Sequence, residues 1–340
     1  MGDKPTLHEV AATAGVSLAS ASRALTGRSA SPDMVRRVRQ AAKSIGYLPD
    51  ATARQLRLGG RRQVVFAVDD IGNPNYVQML RAIEAELGDT IRLSVSATGR
   101  GPDQTVELVR SLSMGAGDGL IISPLRVSPA LRQALSETVV PVVVIGNLHS
   151  DLGIDSVFVD SSAAIGMIID HLVSLGRTRI GAIHGPGNTN PGAARRAGFV
   201  AAMKRHGLAV PEHAQITARD FTSAAGVDAG TELLTRCRQA GVQLDAIVAV
   251  NDLIGIGAIH AAHRLGLRVP ADLAITGIDD TELAAIYLPG LTTVSLQSAD
   301  RGRLAARMLL SRFSDPTRSA QHATVEATLV VRGSTSPEAS

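Results

Sequence analysis

The residues in this 340-residue chain best suited to chemistry are amide, carboxylate and guanidinium groups at the carboxyl ends of apolar runs. Asp70 and the stretch Asn73-Pro-Asn-Tyr76 follow "VVFAV", Asn147 follows "PVVVIG", and Asp160 ends "SVFVD". Asn190 and Arg195 follow "RIGAIHG", Asn251-Asp252 follow "DAIVAV", and Asp279 ends "LAITGID" with Asp280 directly after it. Groups of this kind suit the hydroxyls of a polyol. The chain has five Phe, three Tyr and no Trp, so Tyr76 and Phe221, at strand-to-helix junctions, stand out as candidate platforms for a flat ring. For Asp160, Asp252 and Asp280, each before a helical pattern, capping of the helix is the simpler role when each is taken singly.

Signals for catalysis are missing. No segment fits G-x-x-x-x-G-K-[ST], G-x-S-x-G or H-E-x-x-H, and no nucleophile-base-acid set can be assembled from local motifs. Gly255 and Gly257 in "GIGAIHAAH" lack the third glycine of a dinucleotide loop, and close helix packing accounts for them better. His260 and His263 lie three apart, but a solvated or packed helix face explains them better than a metal. The single Cys237 excludes an internal disulfide and a cysteine-rich metal centre, and fits a partly buried helix position. The expectation is a protein that is not an enzyme and needs no cofactor.

What must position the polar groups is an α/β body. Near-continuous Val/Ile/Ala strands ("VVFAV", "IRLSVSA", "GLIIS", "PVVVIG", then "RIGAIHG", "DAIVAV", "LAITGID") alternate with helical patterns. This predicts parallel sheets covered on both faces. Ligands of open α/β sheets sit beyond the carboxyl ends of the strands, where the polar residues lie. Two such runs predict two lobes, with "SVFVD" between them. "TTVSLQ" at 292–297 and the amphipathic helix after it read as a return to the first lobe. The expected body is 62–340, with lobe 1 at about 62–161 and 292–322 and lobe 2 at about 162–291 and 323–340.

Residues 1–48 read as a separate small helical domain. Residues 1–62 hold 11 Lys/Arg against 4 Asp/Glu, a net of +7, whereas residues 63–340 hold 23 against 27, a net of −4. A basic head on a mildly acidic body suggests a polyanionic partner. Thr6-Leu-His-Glu9 has capping-box spacing, and Leu7, Val10, Ala11 and Ala14 then share one face. Gly15 supplies a tight turn, and Ser17 can cap a second helix to Leu25 buried through Ala21, Ala24 and Leu25. Two helices so joined make a helix-turn-helix. Ser31-Pro32-Asp33 starts a third helix with the stripe Val35, Val38, Ala42 and Ile45, closed by Gly46. Residues 49–61 predict a Pro49 break, a short helix from Asp50 to Arg57 and a Gly59-Gly60 stop. So short a helix is marginal alone and needs a partner to order it.

"TLHEVAATAGVSLASASRALTG", "SPDMVRRVRQAAKSIGYLPDATARQLR" and the body order together resemble the lactose-repressor/galactose-repressor (LacI/GalR) family of transcription regulators, from about Thr6 to Ser334. The resemblance implies a periplasmic-binding-protein-like core of two parallel-sheet lobes with an effector cleft between them. It places the second helix in the major groove with Leu18, Ala19 and Arg23 towards base edges. Thr6, Ser17, Ser20 and Ser22 then bond phosphates, while Leu56, beside Arg57 in the hinge, wedges into the minor groove. Arg195, Asn251 and Asp279 match the family's effector-bonding positions; Asp160 and Phe221 match less sharply, and Asn73, Tyr76 and Asn147 complete the expected set. This chain departs at Ala21, where a larger β-branched residue is usual, and at Thr26 and Asp50, where Asn is usual. The loop "TGRSASPD" is about one residue short. Asn75-Tyr76 replaces a frequent aromatic pair, and Gly146-Asn147 a frequent charged pair.

The expected partners are double-stranded operator DNA, a small-molecule effector, by default sugar-like, and a second copy of the chain. No membrane segment is expected, because no apolar run approaches the roughly 18–20 residues of a span and "MGDKPTLHEV" lacks an export signal, so a cytoplasmic location is expected. A solute-binding or sugar-processing protein would account for the body alone. It does not account for the head.

Overall fold

The computed structural model describes residues 5–25, 30–45, 47, 61–99, 101–147 and 152–336. The expected hinge, with Leu56 and Arg57, lies outside the described residues, as do Thr26, Gly46 and Asp50.

The head is three helices: α1 (Leu7–Ala14), α2 (Leu18–Leu25) and α3 (Pro32–Ser44). Thr6 and Glu9 form the capping box, with the Glu9 N–H donating to Thr6 Oγ1 at 3.3 Å and the Thr6 N–H donating to the Glu9 carboxylate at 2.6 Å. Gly15, at φ 64°, holds the left-handed conformation that ends α1 and turns the chain into α2. Val10, Ala11, Ala21, Ala24, Val38, Ala41 and Ala42 fill the core. Alanines dominate it, so the helices meet closely on very little apolar volume.

The body consists of two six-stranded sheets. The first contains β1 (Arg62–Val68), β2 (Ile91–Ala97), β3 (Gly119–Ser123), β4 (Val142–Ile145), β5 (Asp155–Phe158) and, from far along the chain, β11 (His322–Thr324). Their order is β11-β5-β4-β3-β1-β2, with every pair parallel. Helices α4 (Pro74–Leu87), α5 (Pro102–Ser111) and α6 (Pro129–Glu137) cover its faces. The second contains β6 (Ile180–His184), β7 (Gln215–Thr217), β8 (Ala246–Ala249), β9 (Ala274–Ile278), β10 (Thr292–Ser295) and β12 (Thr328–Val330). Its order is β12-β10-β9-β8-β6-β7, parallel except for the β10–β12 pair. It is covered by α7 (Ser161–Ser174), α8 (Asn190–Arg205), α9 (Ser223–Gln239), α10 (Asp252–Arg264) and α11 (Glu282–Ile286).

Strand chemistry follows position in the sheet. The central β4 and β8 are buried throughout, whereas β2 at an edge alternates half-buried and exposed residues. Gly257 lies where α10 meets α9: a Cβ there would sit 2.4 Å from the Ser223 carbonyl oxygen, so close helix packing requires the glycine.

One expected boundary is corrected. Residues 292–295 do not return to the first lobe but pair with β9 in the second sheet, Thr292 opposite Thr276. Alternation and turn spacing do not say which sheet edge a strand joins, and this one finds its partner in the strand directly before it. The crossing comes just after it, at 296–297, and α12 (Ser298–Ser314) packs on α4 in the first lobe. The chain crosses three times, after β5, after β10 and between β11 and β12.

A buried carboxylate pins the late crossing. Asp155 on β5, fully buried, accepts from Arg312 Nη2 at 3.0 Å, Arg318 Nη2 at 2.7 Å and the Gln321 N–H at 2.7 Å. Burial alone would raise its pKa, but these bonds outweigh it and hold the carboxyl below its ordinary value. Asp155→Asn removes the charge while leaving two mostly buried guanidiniums, which should cost about 3–5 kcal/mol. A fall in the urea midpoint of the full chain is the expected result, and an unchanged midpoint would show the cluster to be unimportant for stability.

Candidate ligand cleft and nucleic-acid interface

The two lobes face each other across a cleft of about 790 Å³, lined from both sides by loops at the carboxyl ends of the strands. All eight sequence-predicted effector positions, Asn73, Tyr76, Asn147, Asp160, Arg195, Phe221, Asn251 and Asp279, line this one cleft. Asn190, Asp70 and Asp220 line it too.

Several of these residues also shape the helices that carry them. Asn73 caps α4 by accepting from the Asn75 N–H at 3.0 Å, which seats Tyr76 in the first turn. Asp160 caps α7, accepting from the N–H groups of Ser162 and Ala163. Asn251 caps α10 through its Oδ1, while its Nδ2 donates to the Phe221 carbonyl at 3.1 Å and so ties two walls of the second lobe together. Asp252 and Asp280 are not caps, contrary to the simpler sequence reading. Asn251 already caps α10, and Thr281 caps α11. Asp280 instead accepts from Arg332 Nη2 at 2.6 Å.

The floor is a buried charged cluster. Arg195 on α8 donates to the Val250 carbonyl at 2.6 Å and to Asp279 Oδ1 at 3.4 Å. Asp279 and Asp280, just after β9, have φ of 122° and 54°, values that side-chain-bearing residues rarely adopt. Burial pushes the Asp279 carboxyl up, against the pull of Arg195 and Arg301. Burial, then the charges of Asp69 and Asp279, pushes the Tyr76 phenol up, so it stays a neutral hydroxyl. Arg301 and Ser298 on α12 are absent from the sequence-predicted set. Arg301 Nη2 donates to Ser298 Oγ at 3.0 Å, and Ser298 donates to Asn75 Oδ1. Burial lowers the Arg301 pKa to about 10, which leaves it a cation at neutral pH. The signal for it was an arginine one turn into "SADRGRLAARML", visible only once that helix is assigned to the cleft wall.

Cross-lobe bonds close the rim. The Asn190 N–H donates to the Leu125 carbonyl at 2.8 Å, Arg126 Nη2 to Asn188 Oδ1 at 3.3 Å, and Gln78 Nε2 to the Asp280 carbonyl at 3.0 Å.

On the head, Ser17 just before α2 and Leu18, Ala19 and Arg23 on it are exposed, with Ser20 and Ser22 half-buried beside them. Ser17 Oγ accepts from the Ser20 N–H at 3.2 Å and donates to Ser20 Oγ at 2.9 Å, while Arg23 Nη2 donates to Ser20 Oγ at 3.4 Å. Thr6 stands at the N-terminus of α1, and Arg36, Arg37 and Arg39 on α3 are exposed. Small side chains and hydroxyls at two helix N-termini, with arginines around them, suit a phosphate backbone. Among the described residues no group of three His, Cys, Asp or Glu is placed to hold a metal, and no helix is long and apolar enough to cross a membrane.

A helix-turn-helix head on a two-lobed α/β body with an interlobe cleft is the build of a ligand-responsive transcription regulator. Comparison with known proteins agrees: a family model for bacterial regulatory proteins of the lacI family matches residues 6–50, and one for a periplasmic binding protein-like domain matches residues 169–335. The chain is 30% identical over 332 residues to the ribose operon repressor of Escherichia coli, covering 97% of this chain and 99% of the relative. Among solved structures it is similar to a transcriptional regulator CelR–cellobiose complex (TM-score 0.71, 29% identity, 97% and 100% covered). It is also similar to the lac repressor dimer bound to operator and the anti-inducer ONPF (TM-score 0.70, 26% identity, 98% and 99% covered). The chain belongs to the LacI family of transcription regulators, which are not enzymes.

The buried Asp252 generates a pH test. It accepts from the Thr281 N–H at 2.7 Å, Thr281 Oγ1 at 3.0 Å and Thr293 Oγ1 at 2.5 Å, and burial, then nearby Asp279, raises its pKa to about 7. Between about pH 4 and 7 the native state therefore holds a proton that the unfolded state has lost. Its contribution to stability is fully present at low pH and is lost as pH rises, by up to about 1.4 kcal/mol per pH unit. Urea midpoints from pH 5 to 8 should shift in favour of Asp252→Asn relative to the wild type as pH rises. Parallel pH profiles would show that Asp252 ionises freely in the fold.

Proposed function

We propose that the chain is a repressor that binds pseudo-palindromic operator DNA as a dimer and releases or tightens its grip when a sugar-like effector occupies the interlobe cleft. The observation that carries this reading is the convergence of Arg195, Asn251, Asp279 and Tyr76 on one cleft in a chain with a helix-turn-helix head. Amide, guanidinium and carboxylate groups around a largely preformed cavity suit a small polyol. The relatives support it further: one is named for a ribose operon, one is solved with cellobiose, and the lac repressor is solved as a dimer on its operator.

In this reading α2 enters the major groove. Leu18 and Ala19 offer apolar contact, as to thymine methyls, Arg23 is the hydrogen-bonding reader, and Thr6, Ser17, Ser20 and Ser22 bond phosphates. Leu56 and Arg57, carried from the sequence alone, serve the minor groove at the operator's centre. Because the cleft is built from both lobes, an effector favours one lobe arrangement over others. Coupling of such a difference to the DNA-binding end is typically about 1–3 kcal/mol.

Gel shift with genomic fragments should reveal saturable, sequence-selective binding at moderate salt; its absence would sink the regulator reading. Arg23→Ala should weaken operator binding by about 1–3 kcal/mol more than it weakens non-specific binding, and equal loss on both DNAs would make Arg23 a phosphate contact. Arg195→Ala and Asp279→Ala should each abolish the effector response while sparing operator binding. An effector response surviving both changes would mean that the ligand binds elsewhere.

A further inference from the structure

The charge on the cleft floor is unevenly matched. Among the lining side chains that are nine-tenths or more buried, three carry charge: Arg195 and Arg301, each 7% exposed, and Asp279, 3% exposed. Arg195 lies against Asp279. Among the described residues Arg301 has no carboxylate within ion-pair distance, and the one hydrogen bond of its side chain is to the Ser298 hydroxyl. The Nε–H groups of both arginines are buried without an acceptor.

Over its whole lining the cleft is balanced among the described residues, five arginines against five aspartates, so the surplus is local to the buried floor. Asp252, below the floor, has its oxygens occupied by Thr281 and Thr293. Asp69 is half-buried on the Tyr76 side, and the mouth is balanced in itself, with Arg126, Arg132 and Arg219 against Asp70, Asp160 and Asp220. The mismatch is therefore local, at Arg301 on the first-lobe wall at the bottom of the cavity, with the balancing Asp69 half-buried beyond ion-pair distance.

A neutral sugar filling this cleft would strip water from Arg301 without supplying a counter-charge, which is costly for a buried ion. A carboxylate removes that cost and accepts charge-assisted bonds, the stronger kind, from the guanidinium N–H groups that reach the cleft. A doubly charged phosphate exceeds the single surplus charge and meets Asp279 beside it. We infer that the ligand of this cleft is a sugar acid, a small polyhydroxylated carboxylate whose anionic end rests on Arg301 with Arg195 beside it and whose hydroxyls meet the Asn and Asp side chains above. This inference rests on reading the interlobe cleft as the effector site. It gives α12 a part in selecting the ligand, since Arg301 and its support Ser298 both lie there.

The test is calorimetric titration of the full-length protein with matched pairs: D-gluconate and D-glucose, D-galacturonate and D-galactose, D-ribonate and D-ribose, with D-ribose 5-phosphate alongside. At least one acid should bind ten-fold or more tightly than its neutral partner. In Arg301→Met that preference should fall to near parity, with operator binding retained as the check on folding, and Arg301→Lys should keep part of it. Should the methionine variant not fold, a preference that falls from wild type to the lysine variant supports the inference in its place. A neutral sugar that binds as well as its acid, an acid preference untouched by both substitutions, or tighter binding of the phosphate would each overturn the inference and leave the effector cleft standing. Binding of none of these probes would overturn both.

Discussion

The buried Arg195–Asp279 pair, 3.4 Å apart beneath the cleft, is the constraint around which the body is arranged. Two charges so far from water are tolerable only where hydrogen bonds and opposite charge replace the lost solvent. That replacement comes from many parts of the chain. The Val250 carbonyl after β8 receives one arm of Arg195, the turn after β9 delivers Asp279, and Tyr76 and Arg301 approach from the first lobe on α4 and α12. Because groups from both lobes solvate the same charges, moving the lobes changes the electrostatic environment of the pair. A cleft that also admits a polar ligand then has a direct physical route from occupancy to lobe arrangement.

The topology explains why these groups meet. Parallel strands put all their carboxyl ends on one side of a sheet, so polar residues after successive strands gather there without any being near another in sequence. Two sheets facing through those ends double the number of converging side chains. The three crossings then limit how the lobes can move, and the buried Asp155 cluster holds the segment after α12 to β5, close to the first crossing. The lobes are thus joined by the three chain crossings and by single hydrogen bonds across the cleft, such as Asn190 to Leu125.

Much of this was legible in the sequence, for identifiable reasons. Capping boxes and left-handed glycines act locally, so Thr6, Glu9 and Gly15 announced the start and end of α1 correctly. Strands of Val and Ile announced parallel sheets, the rule about carboxyl ends drew attention to the polar residues after them, and the family resemblance narrowed these to the eight candidate cleft residues. What depends on long-range pairing was not legible. Residues 292–295 have the same alternation whichever lobe they join, and only β9 beside them decides it. Nothing in the sequence sets Arg301 apart from the other charges of an amphipathic helix, because burial of one arginine on such a helix depends on what packs against it. Asp252 looked like a cap because capping is common at that position; Asn251 had already filled the role, leaving Asp252 to bond Thr281 and Thr293.

Backbone strain falls where the charged floor and a crossing come together. Among the described residues, the only ones other than glycine with clearly positive φ are Asp279, Asp280 and Gln297. Two follow β9 at the cleft floor, and the third stands between β10 and α12, where the chain passes from the second lobe to the first. Conformations of this kind cost on the order of 1–3 kcal/mol each and persist only where the surroundings hold them. Here the surroundings are the Arg195 bond to Asp279, the Arg332 and Gln78 bonds to Asp280, and the Gln297 side chain's bond to Thr328 Oγ1 at 2.8 Å. One of these bonds, from Gln78, reaches across the cleft, and Thr328 lies on the strand after the last crossing. Separating the lobes therefore breaks the Gln78 bond and removes one support of Asp280, while the other three bonds do not cross the cleft. In the proposed function, a ligand that bonds Asp279 would touch the same turn whose next residue, Asp280, is held across the cleft by Gln78.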